Sequence, residues 1–257
     1  MKRKDRKFKS NSSAQLLIVA ALAIAILISA TTAYVYELGK ETNSTYNISI
    51  SDFVFAIKQT TRNAVISSLV NISNGGEKTL LATNLNEFSQ SLRNLIQFGI
   101  WQLNFTVLDD STYDSGIWLS WDTNGMGVSS AYADFTLRAY DVATNSTINY
   151  AVNVTTTVTV SGYYTTVLGI EKVVNLTCNV YNEGESALSQ NITLFYENLR
   201  TWVPIDASNN LSITDYGNGT YAISFRVITL SDTVQVSAHL KDLRGIFVQA
   251  NMTCYEG

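Results

Sequence analysis

Histidine and proline each occur once in 257 residues, cysteine twice, and charged residues make up only 15% of the chain. A single histidine, His239, leaves little room for histidine-assisted catalysis or a histidine metal site. Two cysteines exclude a zinc ribbon and a disulfide-dense mini-protein. One proline excludes a proline-rich stalk. Low charge with 46% hydrophobic residues excludes a disordered chain. G-x-S-x-G, a phosphate-binding loop and H-E-x-x-H are all missing. No catalytic, cofactor-binding or metal residues are therefore expected, and the reading is non-enzymatic. Asp109, Asp110 and Asp114, with Asp122-Thr123-Asn124-Gly125, supply oxygens of the kind calcium takes. Solvated acidic turns account for them more simply.

What charge there is lies unevenly. Residues 1–9 carry a net +5, leaving 11 basic and 20 acidic side chains, a net −9, for the rest. The bulk of the chain would repel phosphate, so nucleic acid is not an expected partner. From 15 to 36 there is no ionisable acid or base. As a helix, that run would be about 33 Å long at ~1.5 Å per residue. A bilayer's hydrocarbon core is about 30 Å thick. Tyr34 and Tyr36 suit the far interface. The basic head predicts a cytoplasmic N-terminus and an extracellular remainder, giving a single-pass protein with membrane lipid as partner.

The basic head, the small polar residues Ser10 to Ala14 and the run Gln15-Leu16-Leu17-Ile18-Val19-Ala20-Ala21 resemble archaeal type IV pilin-like proteins with a class III signal. The resemblance implies cleavage between Ala14 and Gln15 by a prepilin peptidase, and assembly with other pilin-like subunits. Ala14 stands where glycine is commoner, and Val19 where many pilins have glutamate. The alternative is an uncleaved signal anchor.

Beyond the span, apolar spacing of three and four predicts helices over 50–73 and about 79–98, the first stopped by Asn74-Gly75-Gly76. After Gly99 the period becomes two. Trp101, Leu103, Phe105 and Val107 alternate with polar residues, and so do stretches near 116–121, 130–142 and 147–160. Short strands follow at 173–181, 191–197, 219–227, 234–240 and 245–253. Asp215-Tyr216-Gly217-Asn218-Gly219-Thr220-Tyr221 resembles the turn-and-strand of filamin-like and invasin-like immunoglobulin-fold modules. That resemblance implies a sandwich with a stalk or adhesive role. The expected fold class is α+β: an N-terminal transmembrane helix, a helix-plus-antiparallel-sheet domain and a C-terminal β-sandwich. The expected boundaries are 1–14 for the leader, 15–36 for the span, 37–160 for a pilin-like domain and 161–257 for an immunoglobulin-like sandwich.

Cys178 and Cys254 sit in matching Asn-x-Thr-Cys contexts. Strand alternation puts Leu176 and Cys178, or Met252 and Cys254, on the face opposite the asparagine. Both thiols then face the core. In an oxidising exterior this suggests a Cys178–Cys254 disulfide worth ~4 kcal/mol; two buried free thiols are the alternative. Twelve Asn-x-Ser/Thr sequons occur, where composition predicts roughly five. Asn11 would lie in the cytoplasm. Asn43, Asn47, Asn71, Asn104, Asn145, Asn153, Asn175, Asn191, Asn210, Asn218 and Asn251 are expected glycosylation sites. The sequence thus reads as a structural or adhesive surface protein, a filament subunit or minor pilin. The competing reading is an anchored receptor or adhesin for sugar or protein, with Trp101, Trp118 and Trp121 as an aromatic platform.

Overall fold

The computed structural model describes residues 50–95, 100–121, 124–140 and 145–257. The chain divides into two units, 1–55 and 56–257. Of the first, only residues 50–55 are described. The expected leader, its cleavage point between Ala14 and Gln15, the span at 15–36 and the sequons at Asn43 and Asn47 lie outside the described residues. No helix among the described residues is long and apolar enough to cross a membrane.

Two helices open the described chain, α1 (Ile50–Ser73) and α2 (Leu80–Leu95). Along α1, Ile57, Thr61, Val65, Ser68, Leu69 and Ile72 are buried, a stripe at helical spacing. Its end is closed by paired turn bonds, Gly76 N to Asn71 O and Gly75 N to Ile72 O, both 3.0 Å. Along α2, Leu81, Leu85, Ser89 and Leu92 are buried. The helices meet where Asn84 Nδ2 donates to Ser68 Oγ (2.9 Å), and Ser89 Oγ ties α2 to Leu103 O (2.6 Å).

Twelve strands follow: β1 (Ile100–Val107), β2 (Ile117–Trp121), β3 (Met126–Tyr140), β4 (Asn145–Leu168), β5 (Glu171–Asn182), β6 (Glu185–Ser186), β7 (Ser189–Asn198), β8 (Thr201–Ile205), β9 (Ser212–Asp215), β10 (Thr220–Ile228), β11 (Val234–Asp242) and β12 (Phe247–Cys254). They form an eight-stranded sheet ordered β1-β3-β4-β5-β10-β9, with β2 beside β3 and β6 beside β5. A second sheet runs β12-β11-β7-β8. All strand pairs are antiparallel.

The expected α+β class is corrected by this arrangement. Strands make up 57% and helices 21% of the described chain, in two antiparallel sheets with two short helices. The physical reason is β4. It pairs with β3 from Asn145 to Thr159 and with β5 from Thr156 to Leu168. One 24-residue strand therefore runs straight through 160/161, where the sequence placed a domain boundary. Ser161 and Gly162 lie within the strand. A Cβ at Gly162 would stand 2.2 Å from Asn175 O, so the close approach of β5 requires glycine there.

The inner face of β4 serves two buried layers. Toward its start, Phe135 of β3 stacks on Tyr150 (centroids 5.2 Å apart), and Tyr150 meets α1 through Thr61 Oγ1 (3.2 Å). Toward its end, Val158 and Val160 join a core with Val174, Leu176, Phe225, Val236, Leu240 and Val248. Strand β12 also lies across β3: Gly125 N donates to Asn251 O (2.8 Å) and Ser129 Oγ to Phe247 O (2.7 Å). Between them, a Cβ on Gly127 would sit 2.0 Å from Gln249 O.

Where the helix-covered and sheet-covered layers meet, Thr156 is fully buried beside Asp242, also fully buried. Asp242 Oδ2 accepts from Thr156 Oγ1 (2.9 Å) and Arg244 Nε (2.7 Å). Its Oδ1 accepts the amides of Arg244 and Ile246, both at 2.9 Å. Arg244 continues to Glu183 Oε1 (2.6 Å) and Thr155 O (3.2 Å). Removing the carboxylate takes the acceptor from Arg244 Nε and from two backbone amides in a buried setting. Asp242→Ala should cost about 3–5 kcal/mol, read as a lower midpoint in urea unfolding.

Candidate functional site

The sequence residues fall on three surfaces and one core position. Cys178 on β5 and Cys254 on β12 are both buried in the inter-sheet core, as alternation requires. They are present as free thiols, so the expected disulfide is not formed in this structure. Burial pushes each thiol up to about 12.

The described sequons spread over the body. Asn71, Asn153, Asn191, Asn210 and Asn218 are exposed, while Asn104, Asn175 and Asn251 are half-buried. Asn145 begins β4. Asn210 is a left-handed residue (φ +52°) closing a short 3-10 turn, and Asn218 lies in the β9–β10 turn, its Oδ1 accepting from Thr220 N (3.1 Å). In that same Asp215–Tyr221 motif, Asp215 Oδ1 accepts from Gly217 N (2.7 Å) and the Tyr221 hydroxyl from Ser189 N (2.8 Å). Asn175 and Thr177 line an open trough of about 500 Å³ across β4, β5, β10 and β9, with Ser161, Tyr163 and Ser212.

The three tryptophans weighed as a platform are not brought together. Trp121 turns inward, its ring edge-on to Phe247 at 5.2 Å and its Nε1 3.4 Å from Ser129 Oγ. Trp101 lies on β1 opposite Ala139. Trp118 faces outward on β2, opposite Ser130. Its companions are tyrosines that the sequence reading did not single out. Tyr113 comes from the loop between β1 and β2 and stands edge-on to Trp118 (6.0 Å) and to Tyr132 (6.1 Å). The Asp110 carboxylate shapes that loop, accepting from Thr112 N (2.7 Å) and Tyr113 N (2.8 Å), and those bonds hold it below the usual carboxylate range. Asp114 pairs with Lys78 at 2.7 Å. No group of acidic, histidine or cysteine residues placed to hold a metal ion occurs among the described residues.

A third surface is apolar. The β4–β5, β7–β8 and β10–β11 turns expose Leu168 (79%), Leu199 (93%) and Leu230 (84%). Ile170, Leu199, Ile228 and Leu230 line a groove of about 440 Å³. The β10–β11 turn is pinned from beneath. Tyr164 Oη donates to Asp232 O (2.7 Å), and the buried Lys172 ammonium donates to Ser231 O while lying 3.9 Å from the Tyr164 ring centroid.

His239 packs between Phe195 (4.7 Å) and Phe247 (5.5 Å), with Nε2 3.0 Å from Ser237 Oγ. Burial lowers its affinity for a proton below the ordinary 6.5. Comparison with known proteins finds no matching family model, no matching curated protein and no matching solved structure.

Two measurements follow from this chemistry. In native protein at pH 8 neither thiol should alkylate with iodoacetamide, since a thiol near 12 is almost wholly protonated and these two are enclosed. In denaturant without reductant both should label, and a pair that stays unlabelled there is a disulfide. For His239, the unfolded ring protonates below about 6.5 while the folded ring resists. Its share of stability is complete above that pH and is lost as pH falls through the lower folded value. The melting temperature of His239→Gln should therefore fall less than that of the wild type between pH 7 and pH 5.

Proposed function

We propose that the chain is a non-enzymatic cell-surface protein, held at the membrane by the uncharged segment 15–36. Its β body acts as a structural or adhesive unit, in the manner of a pilin-like subunit. The observation that carries this reading is the apolar end of the sandwich. Leu199 and Arg200 occupy consecutive left-handed positions (φ +50° and +66°) at the β7–β8 hairpin tip. Asparagine and glycine fill such positions without strain, and each other side chain there costs about 1–2 kcal/mol. A leucine that is both strained and 93% exposed is a poor choice for folding or solubility. It is a good choice for contact with an apolar protein surface, and Ile170, Ile228 and Leu230 line one groove with it.

The partner that fits is a neighbouring subunit of the same kind. Aliphatic side chains offer a protein the burial worth about 1.5–3 kcal/mol per leucine, and offer a sugar little. The outward or turn positions of the exposed sequons support an exported body. Combining Leu168→Ser, Leu199→Ser and Leu230→Ser should lower subunit association or cell adherence tenfold or more at equal surface abundance, since about 1.4 kcal/mol is a factor of ten. Unchanged association and unchanged filament yield would remove the reading.

A further inference from the structure

The outer face of the large sheet carries three half-buried rings next to a sequon, and none of this is used by the apolar end. Asn153, exposed on β4, is the direct cross-strand partner of Tyr132 on β3. Directly opposed residues in an antiparallel pair have Cβ atoms about 4.5–5.5 Å apart on the same face. Tyr113 and Trp118 extend the same surface beyond Tyr132. The rings are fixed in place. Tyr132 Oη donates to Asp134 Oδ1 (3.1 Å), and the hydroxyls of Tyr113 and Ser130 share a hydrogen bond (3.0 Å). Asn153 Oδ1 accepts from Ser130 Oγ (3.3 Å) and from Thr155 Oγ1 of its own sequon (3.1 Å). These bonds use the amide oxygen.

We propose that this face seats the proximal sugar of an N-linked glycan on Asn153, which lies against Tyr132 and Tyr113. The chemistry is complementary. A pyranose has one face of C–H groups and a rim of hydroxyls. The C–H face suits the electron-rich face of an aromatic ring. The hydroxyl rim meets the exposed Asp134 carboxylate, which keeps acceptor capacity beyond its bond from Tyr132. The placement also accounts for a second tyrosine delivered by a loop onto a sheet face that already carries Tyr132 and Trp118.

The proposal rests on the exported-protein reading, and the test separates the two. The full chain is expressed in a host that transfers N-acetylglucosamine-based glycans, and occupancy at Asn153 is measured by glycopeptide mass spectrometry. Melting temperatures are then compared for wild type and Asn153→Gln in three backgrounds: native, Tyr132→Phe and Tyr132→Thr. The glycan should raise the melting temperature by about 2–4 °C in the native and Tyr132→Phe backgrounds, the shift one aromatic contact gives in a chain this size. In Tyr132→Thr, which keeps a good strand former but removes the ring, the gain should vanish. An occupied site whose gain survives Tyr132→Thr overturns the seating alone. An empty Asn153 overturns it too, and empty sequons throughout overturn the exported-glycoprotein reading with it. Saturable binding of free chitobiose to Asn153→Gln, lost in Tyr132→Thr, would assign the face to a foreign glycan and overturn the self-glycan assignment.

Discussion

A carboxylate with no exposure at all joins the parts of this protein. Asp242 accepts four hydrogen bonds, two from backbone amides of its own hairpin, one from Thr156 and one from Arg244. An isolated buried charge costs several kcal/mol, so the group persists only where every lone pair is matched. Matching it fixes the β11–β12 hairpin over the middle of β4. Arg244 carries the constraint to Glu183 beyond β5, and Arg62 of α1 approaches the same Glu183 at 3.8 Å. A helix, two strands of the large sheet and a hairpin of the small one are thereby placed relative to one another. The outermost contact, half-exposed and long, adds little by itself. The inner ones set geometry.

That joint lies at one end of β5 and β11, and the apolar turns lie at the other. At the joint, polar groups are satisfied by one another, and no buried side-chain nitrogen or oxygen among the described residues lacks a partner. At the far end, leucines stand in water above a framework held by Lys172 and Tyr164. Between the two, β12 is docked on β3 along Gly125, Gly127 and Ser129, which occupies carbonyls an edge strand would otherwise present. Association through that edge is thus closed off.

Local chemistry in the sequence was enough to place both helices and most strands. The stop at Asn74-Gly75-Gly76 is a turn whose bonds form within six residues. The inward cysteines and the outward asparagine of Asn153 follow from a period of two, which sheet pairing only reinforces. What the sequence did not reveal depends on contacts between distant segments. Gly162 lies just past the boundary expected at 160/161, yet it is within one continuous strand, with Asn175 passing close above it. The short edge strands β8 and β9 lack alternation because β8 is mostly exposed and β9 wholly so. Trp118 and Trp121 are three residues apart, and a strand sends them to opposite faces, so a count of tryptophans overstated the platform. Tyr113 belongs with Trp118 only because an irregular loop folds back over the sheet, and no periodicity encodes that return.

The two surfaces differ in chemistry. Aliphatic tips release water against another apolar surface and gain nothing from hydroxyls. A face of rings set among serine, asparagine and aspartate gains from both a C–H surface and a polar rim, and gains less from a leucine. The first requires exposure, and accepts backbone strain at Leu199 and Arg200 to obtain it. The second requires fixed ring orientation, which the Tyr113–Ser130 and Tyr132–Asp134 bonds provide. Neither would hold its geometry on a loosely packed sheet. Rigidity supplied at the Asp242 joint and along the β12–β3 contact is the physical condition that both surfaces share.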